Sequence, residues 1–236
     1  MAPIMPKDHW GYSEVLESDA QEYETYNERA VEALKEVLDI VDSEDWQKKS
    51  GWKLEAANAN LPFKVYSKSG LQKKGKTFIG TAEMAVPVEK IWAELVENLE
   101  TIPEWNKDVV EYRRVFKVGA QSDVTYNCFH DKGIISRRDF VNARCWRILP
   151  DGRHAMAAAA IKVASLPDVK GRVRGEDSPS LAMCEDNGKG GVLYTFSSNT
   201  DLKGFLPKAL TDAVMHQTIM DYFVQLNDYL TQTTAE

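Results

Sequence analysis

Metal and nucleotide chemistry find little to work with in this chain. Its four histidines, His9, His130, His154 and His216, are scattered, and none stands at HExxH or i, i+4 spacing with another ligand. There is no Walker loop, no GxGxxG and no GxSxG elbow. Gly188-Lys189-Gly190-Gly191 joins two strand-like runs and precedes no helix, so it reads as a turn rather than a phosphate cradle. The three cysteines, Cys128, Cys145 and Cys184, have neither CxxC spacing nor an even count, which points to reduced, half-buried thiols. Any serine paired with His154 or His216 as a nucleophile would be an arbitrary choice. Basic charge is short as well: a net charge of -7 and a pI near 5.3 argue against a grip on nucleic acid, which needs a basic face. No apolar run reaches the roughly 18 residues that span a bilayer. Met1 to Trp10 lacks a secretory h-region, so the expectation is a cytosolic protein.

What is present is enough apolar sequence for a sizeable core: 236 residues, 43% hydrophobic, with a mean hydropathy of -0.41. Residues 1–29 read as an acidic extension and 30–236 as one domain. From Ala30 onward, Ala33, Leu34, Val37, Leu38 and Val41 recur at helical spacing. Trp46 and Trp52 are expected to anchor a core edge. Residues 64–67 and 77–84 read as a hairpin whose lysines, 68, 73, 74 and 76, form a solvated turn. Pro87 suits a helix start ahead of the stripe Ile91, Trp92, Leu95, Val96 and Leu99. Strand patterns then dominate, at 109–118, 122–130, 138–148, 154–163, 171–176, 181–184 and 192–200. Their turn-length gaps imply antiparallel pairing. A long helix to about Leu230 closes the chain, which makes the expected class α+β, one helix laid across a long antiparallel sheet.

Two features of the sheet stand out. Arg144 shares a strand face with Phe140, Trp146 and Ile148, and an unpaired guanidinium buried there would cost about 3–5 kcal/mol. That face therefore meets solvent, or lines a cavity where something answers the charge. The run His154-Ala155-Met156-Ala157-Ala158-Ala159-Ala160 is strand-like by position yet underfills its layer. The alanines either leave room for an apolar ligand with a polar handle or let a helix approach closely; both readings stay open on composition.

Several runs carry a resemblance. Gly51-Trp52-Lys53-Leu54-Glu55, Glu104-Trp105-Asn106, Arg138-Asp139-Phe140-Val141, Leu166-Pro167-Asp168-Val169-Lys170-Gly171 and Asp201-Leu202-Lys203-Gly204-Phe205-Leu206-Pro207-Lys208 resemble the START lipid-transfer domain over roughly residues 40 to 230. The Arg138 and Asp201 runs resemble its steroidogenic, sterol-binding subgroup, and the whole is most similar to that subgroup's insect carotenoid-binding branch. The resemblance implies a helix-grip fold, a curved antiparallel sheet wrapped around a long C-terminal helix enclosing a lipid tunnel. It implies a non-enzymatic carrier, with no cofactor and no metal, that takes a xanthophyll such as lutein through the cytosol or between membranes. The alternatives are cholesterol or another sterol and, further off, an enzyme of a related fold. The partners it implies are the hydrophobic lipid and a transient membrane surface, with the protein peripheral at membranes and monomeric.

The same resemblance places Arg144 in the tunnel and puts the acid that neutralises it at Asn127, a departure that leaves Arg144 to Asp123, water or a ligand hydroxyl. Asn127, Asn142 and Asn106 are the other expected handles. Phe140, Trp146, Ala157, Ala159 and Val214 are expected as walls, with Thr218 and Tyr222 facing inward from the last helix. The gate is expected at Leu166 and Pro167, and the membrane contact at Lys203, Phe205, Leu206 and Lys208.

Overall fold

The computed structural model describes residues 3–72 and 75–232. Lys73 and Lys74 of the basic turn, and the side chain of Lys208, lie outside the described residues.

The first helix, α1 (Gln21–Val41), begins well before the boundary expected at residue 30. Glu22 and Glu24 in its first turn favour an N-terminus through the helix dipole. Its buried stripe, Tyr26, Ala30, Ala33, Leu34, Val37, Leu38 and Val41, extends the 3.6-residue period back by one turn. Ser43 then caps the short α2 (Glu44–Gln47), accepting a hydrogen bond from the Trp46 N–H at 3.2 Å. Strand β1 (Lys53–Ala57) pairs with β2 (Phe63–Ser69), and β2 with β3 (Lys76–Met84). The lysines flanking that turn are tied down rather than free: Lys68 Nζ donates to Asp45 at 2.6 Å, and Lys76 lies 3.0 Å from Asp212.

Pro87 precedes α3 (Val88–Val96), and α4 (Ile102–Trp105) leads into the long strands. These are β4 (Val109–Gly119), β5 (Ser122–Phe129), β6 (Arg138–Ile148) and β7 (His154–Ala160). The short β8 (Val173–Arg174) and β9 (Glu176–Asp177) precede β10 (Ser180–Asp186), β11 (Val192–Ser198), β12 (Thr200–Asp201) and the closing helix α5 (Lys208–Gln232). The main sheet runs β1-β2-β3-β11-β10-β7-β6-β5-β4, antiparallel between all these neighbours, with β8 added in parallel to β6. β9 and β12 form a separate two-stranded ribbon.

Strand parity divides the core. On β6, Val141, Ala143 and Cys145 point to the convex face with Ala155, Ala157 and Ala159 of β7, all within the cluster that includes α1. The alanines are fully buried, as are Ala30 and Ala33 of α1, so small residues meet small residues and the helix lies close on the sheet. Residues 3–20 also pack on this face. Arg147 pairs with Asp8 at 2.8 Å and Glu14 at 3.2 Å, and Leu16 bridges Gly119. The concave face carries Phe140, Asn142, Arg144, Met156 and Tyr194 toward α5. This helix rests on β1 to β3 through Ile219, Phe223, Leu226 and Leu230. Gly80 makes that approach possible, because a Cβ there would fall 2.5 Å from the Phe223 ring.

Candidate ligand cavity

Between α5 and the other half of the concave face the packing opens into a cavity of about 260 Å3. Its walls are mostly apolar: Leu95, Phe140, Met156, Leu181, Ile219 and their neighbours. Exposed Ser136 marks its mouth, where Lys132 donates to Asp108 at 2.8 Å and to Thr218 at 2.9 Å.

The expected residues divide clearly. Arg144, Asn127, Asn142, Asn106, Phe140, Val214, Thr218 and Tyr222 all line the cavity. Ala157 and Ala159 do not. They face α1, while the β7 residues on the wall are Met156 and Ala158, opposite Trp146 and Arg144 in register. A one-residue error in parity moves a side chain through the sheet. Trp146 shares the concave face but stands off the lining, its ring 5.8 Å from the Arg144 guanidinium. Leu166 and Pro167 border a separate outer groove of about 1010 Å3. Their carbonyls accept from Arg174, which pairs with Asp139 of β6 at 3.0 Å.

Arg144 is answered by protein, and by Asp123 rather than Asn127. The β5–β6 register sets Asp123 directly opposite Arg144, whereas Asn127 falls opposite Phe140. The guanidinium makes a two-pronged contact, Nε to Oδ1 at 2.8 Å and a terminal nitrogen to Oδ2 at 2.7 Å. Its third nitrogen donates to the Leu95 carbonyl at 3.1 Å. Arg114 adds a second cation, 2.9 Å from Asp123 and 2.7 Å from the Val96 carbonyl. Both carbonyls belong to the last turn of α3, which lacks donors of its own and carries the negative end of the helix dipole. Burial alone would push the Arg144 guanidinium down. The Asp123 carboxylate and the Tyr112 hydroxyl more than reverse that and hold it above its ordinary value.

The remaining polar wall is not answered. Five buried side-chain atoms lack a hydrogen-bond partner among the described residues, and three of them, Thr125 Oγ1, Asn127 Oδ1 and Asn142 Oδ1, are neighbours on the concave face. Each such atom costs about 1–3 kcal/mol when shut away from water. The Asn142 amide has its other end fixed: Nδ2 donates to Asp177 Oδ2 at 2.8 Å, and Thr200 donates to Asp177 Oδ1 at 2.6 Å. Burial pushes the Asp177 carboxyl up, with these two donors opposing it. Across the cavity the Tyr194 and Tyr222 hydroxyls share one hydrogen bond of 2.9 Å. Sequence reasoning missed Tyr194 and Tyr112; only the strand order brings them to this wall.

At the mouth, two apolar tips stand in solvent. Phe205 is fully exposed, Leu206 is half-buried, and Lys203 turns back to Glu176 at 2.6 Å. Ile134, which the sequence did not single out, is 76% exposed on the β5–β6 connection. Buried Arg138 holds the two loops together, donating to the Leu202 carbonyl at 3.0 Å and to the Ser136 hydroxyl at 2.8 Å.

A helix laid over a curved antiparallel sheet, with a mostly apolar cavity between them, defines an internal binding protein for an apolar small molecule. The chain belongs to the START domain family, whose pattern it matches over residues 29–236. It is 32% identical over 220 residues to the steroidogenic acute regulatory protein of Xenopus laevis, covering 89% of this chain and 72% of that protein. It is 30% identical over 201 residues to the mitochondrial steroidogenic acute regulatory protein of Homo sapiens, covering 84% and 68%. Among solved structures, the human StAR-related lipid transfer protein 5 superposes with a TM-score of 0.81 at 18% identity, covering 89% of this chain and 99% of that one. That likeness establishes the fold.

Proposed function

We propose that this protein is a non-enzymatic carrier of a sterol-class lipid, which it holds in the cavity under α5 and exchanges with membranes as a monomer working in the cytosol. The observation that carries this reading is the cavity itself, apolar on most of its wall and polar in a few places, in a chain whose curated relatives are named as steroidogenic regulatory proteins. At about 260 Å3 it lies just under the roughly 300 Å3 where small-molecule pockets begin. The relatives' names favour a sterol over a xanthophyll.

Burying on the order of 400 Å2 of sterol surface is worth about 10 kcal/mol against water. A bilayer hides the same surface, so exchange between membranes runs close to balance and the polar contacts decide which lipid is kept. The walls would be Phe140, Met156, Ala158, Val214 and Ile219, with Asn127, Asn142 and Asn106 as polar contacts. Phe205, Leu206 and Ile134 would touch the membrane beside the mouth, and the segment holding Leu166 and Pro167 would move to admit cargo.

The test is transfer of a fluorescent sterol from donor to acceptor vesicles by the purified protein, with binding stoichiometry measured alongside. One sterol bound per chain and a transfer rate that rises with protein concentration are expected. Absence of bound sterol, or recovery of the lipid as a new product, would overturn the carrier reading.

A further inference from the structure

We infer that the cavity carries a hydroxyl-reading site built on Asn127 and Asn142, with Thr125 beside them on the same strand face, and that this site, rather than Arg144, selects lipids ending in a free alcohol. The inference rests on the carrier reading above and goes beyond it by naming the group that is read and the atoms that read it.

Each Arg144 nitrogen already makes one contact, two on Asp123 and one on the Leu95 carbonyl, and the Asp123 carboxylate accepts from both Arg144 and Arg114. A ligand hydroxyl donating to Asp123 would compete with those cations for the carboxylate. The neighbouring patch is the reverse case. Thr125 stands directly opposite Asn142 across the β5–β6 pair, and Asn127 is two residues along β5 on the same face. Thr125, Asn127 and Asn142 are at least nine-tenths buried, yet each leaves one side-chain oxygen without a partner. Asn127 and Asn142 both line the cavity, and Thr125 shares their face without itself lining it.

The chemistry of these oxygens defines the guest. Two are amide carbonyls, which accept only, and the third is a hydroxyl, which donates and accepts. The Asn142 amide is held in this orientation because its nitrogen is bound to the Asp177 carboxylate. A group that satisfies the patch must therefore bring a proton for an amide oxygen and a lone pair for the threonine. An alcohol does both. A ketone or an ester can only accept, and a hydrocarbon does neither, so each leaves buried acceptors unmatched.

The test compares three matched probes, a 3-hydroxysterol, its 3-keto analogue and its fatty-acyl ester, on wild-type protein and on the Thr125→Val/Asn127→Leu double variant. Wild-type protein is expected to bind the alcohol about tenfold or more tightly than the ketone. The double variant is expected to bind both alike while still binding, because the apolar wall is intact. Its empty form is expected to melt no lower than the wild type, since unmatched polar atoms have been replaced by apolar ones of similar shape. Should the variant not fold, Asn142→Leu read by the same alcohol-to-ketone ratio takes its place. Equal affinity of the wild type for alcohol and ketone, or a preference that survives the substitutions, would overturn the inference and leave the carrier reading standing. If none of the three lipids binds the wild type, the carrier reading falls and this inference falls with it.

Discussion

Replacing Asp123 by leucine isolates the buried charge that the sequence made conspicuous. Arg144 is 1% exposed, and Asp123 supplies its only carboxylate among the described residues, through contacts of 2.8 and 2.7 Å. Removing one partner of such a pair costs about 3–5 kcal/mol, because the survivor is left charged in a place water does not reach. For a chain of this size each kcal/mol lowers the melting temperature by about 2–4 °C, so Asp123→Leu should melt on the order of 6–20 °C below the wild type. Arg144→Leu should be milder, since Asp123 keeps part-exposed Arg114 at 2.9 Å. In the double variant Asp123→Leu/Arg144→Leu no fully buried charge is stranded; what is lost is the donor to the Leu95 carbonyl, worth about 1–3 kcal/mol, and the carboxylate of part-exposed Arg114, which keeps the Val96 carbonyl. Its stability should therefore lie well above that of Asp123→Leu alone. Equilibrium urea unfolding of all four proteins gives the coupling directly. A loss below about 1 kcal/mol for Asp123→Leu, or single effects that simply add, would refute the account of a desolvated, mutually dependent pair. The alcohol preference of the cavity should persist in the double variant, since the pair is placed outside the group that reads the hydroxyl.

Two further outcomes are expected. Phe205→Asp and Ile134→Asp should each slow sterol transfer between vesicles while leaving binding stoichiometry unchanged; burying each side chain in lipid is worth about 1.5–3 kcal/mol, enough together for reversible docking. Unchanged transfer rates in both would place the membrane contact elsewhere. The Asp177 carboxyl is pushed up from its ordinary 3.8 by burial, so the native state holds that proton more tightly than the unfolded chain does. Stability contributed by this group is present at low pH and is lost as pH rises from about 4 through the raised value. The urea midpoint of wild-type protein, taken relative to Asp177→Asn, should accordingly fall with rising pH over that window, and a difference that rises with pH would contradict the assignment.

Much of this protein was legible in the sequence because periodicity is local. The stripe of α1, the Pro87 helix start, the extended strands from Val109 to Ser198 and the long closing helix each follow from spacing within a dozen residues. Local spacing also showed that Arg144 and Phe140 share a face. It could not show what lies opposite. Asp123 meets Arg144 because of the β5–β6 register, and Ala157 and Ala159 turn away from the cavity because β7 pairs with β6 as it does. Composition gave the alanine strand two readings, and its two faces divide them: Ala155, Ala157 and Ala159 pack in the cluster that includes α1, while Ala158 lines the cavity. The loops that carry Ile134 and Phe205 are joined by Arg138 although they lie far apart in sequence. The chain by itself thus determined its elements and its inward charge, since both depend on neighbours along the backbone. Partner identity, cavity walls and the patch of unmatched oxygens were decided by strand register and layer packing, where a shift of one residue reverses every side chain.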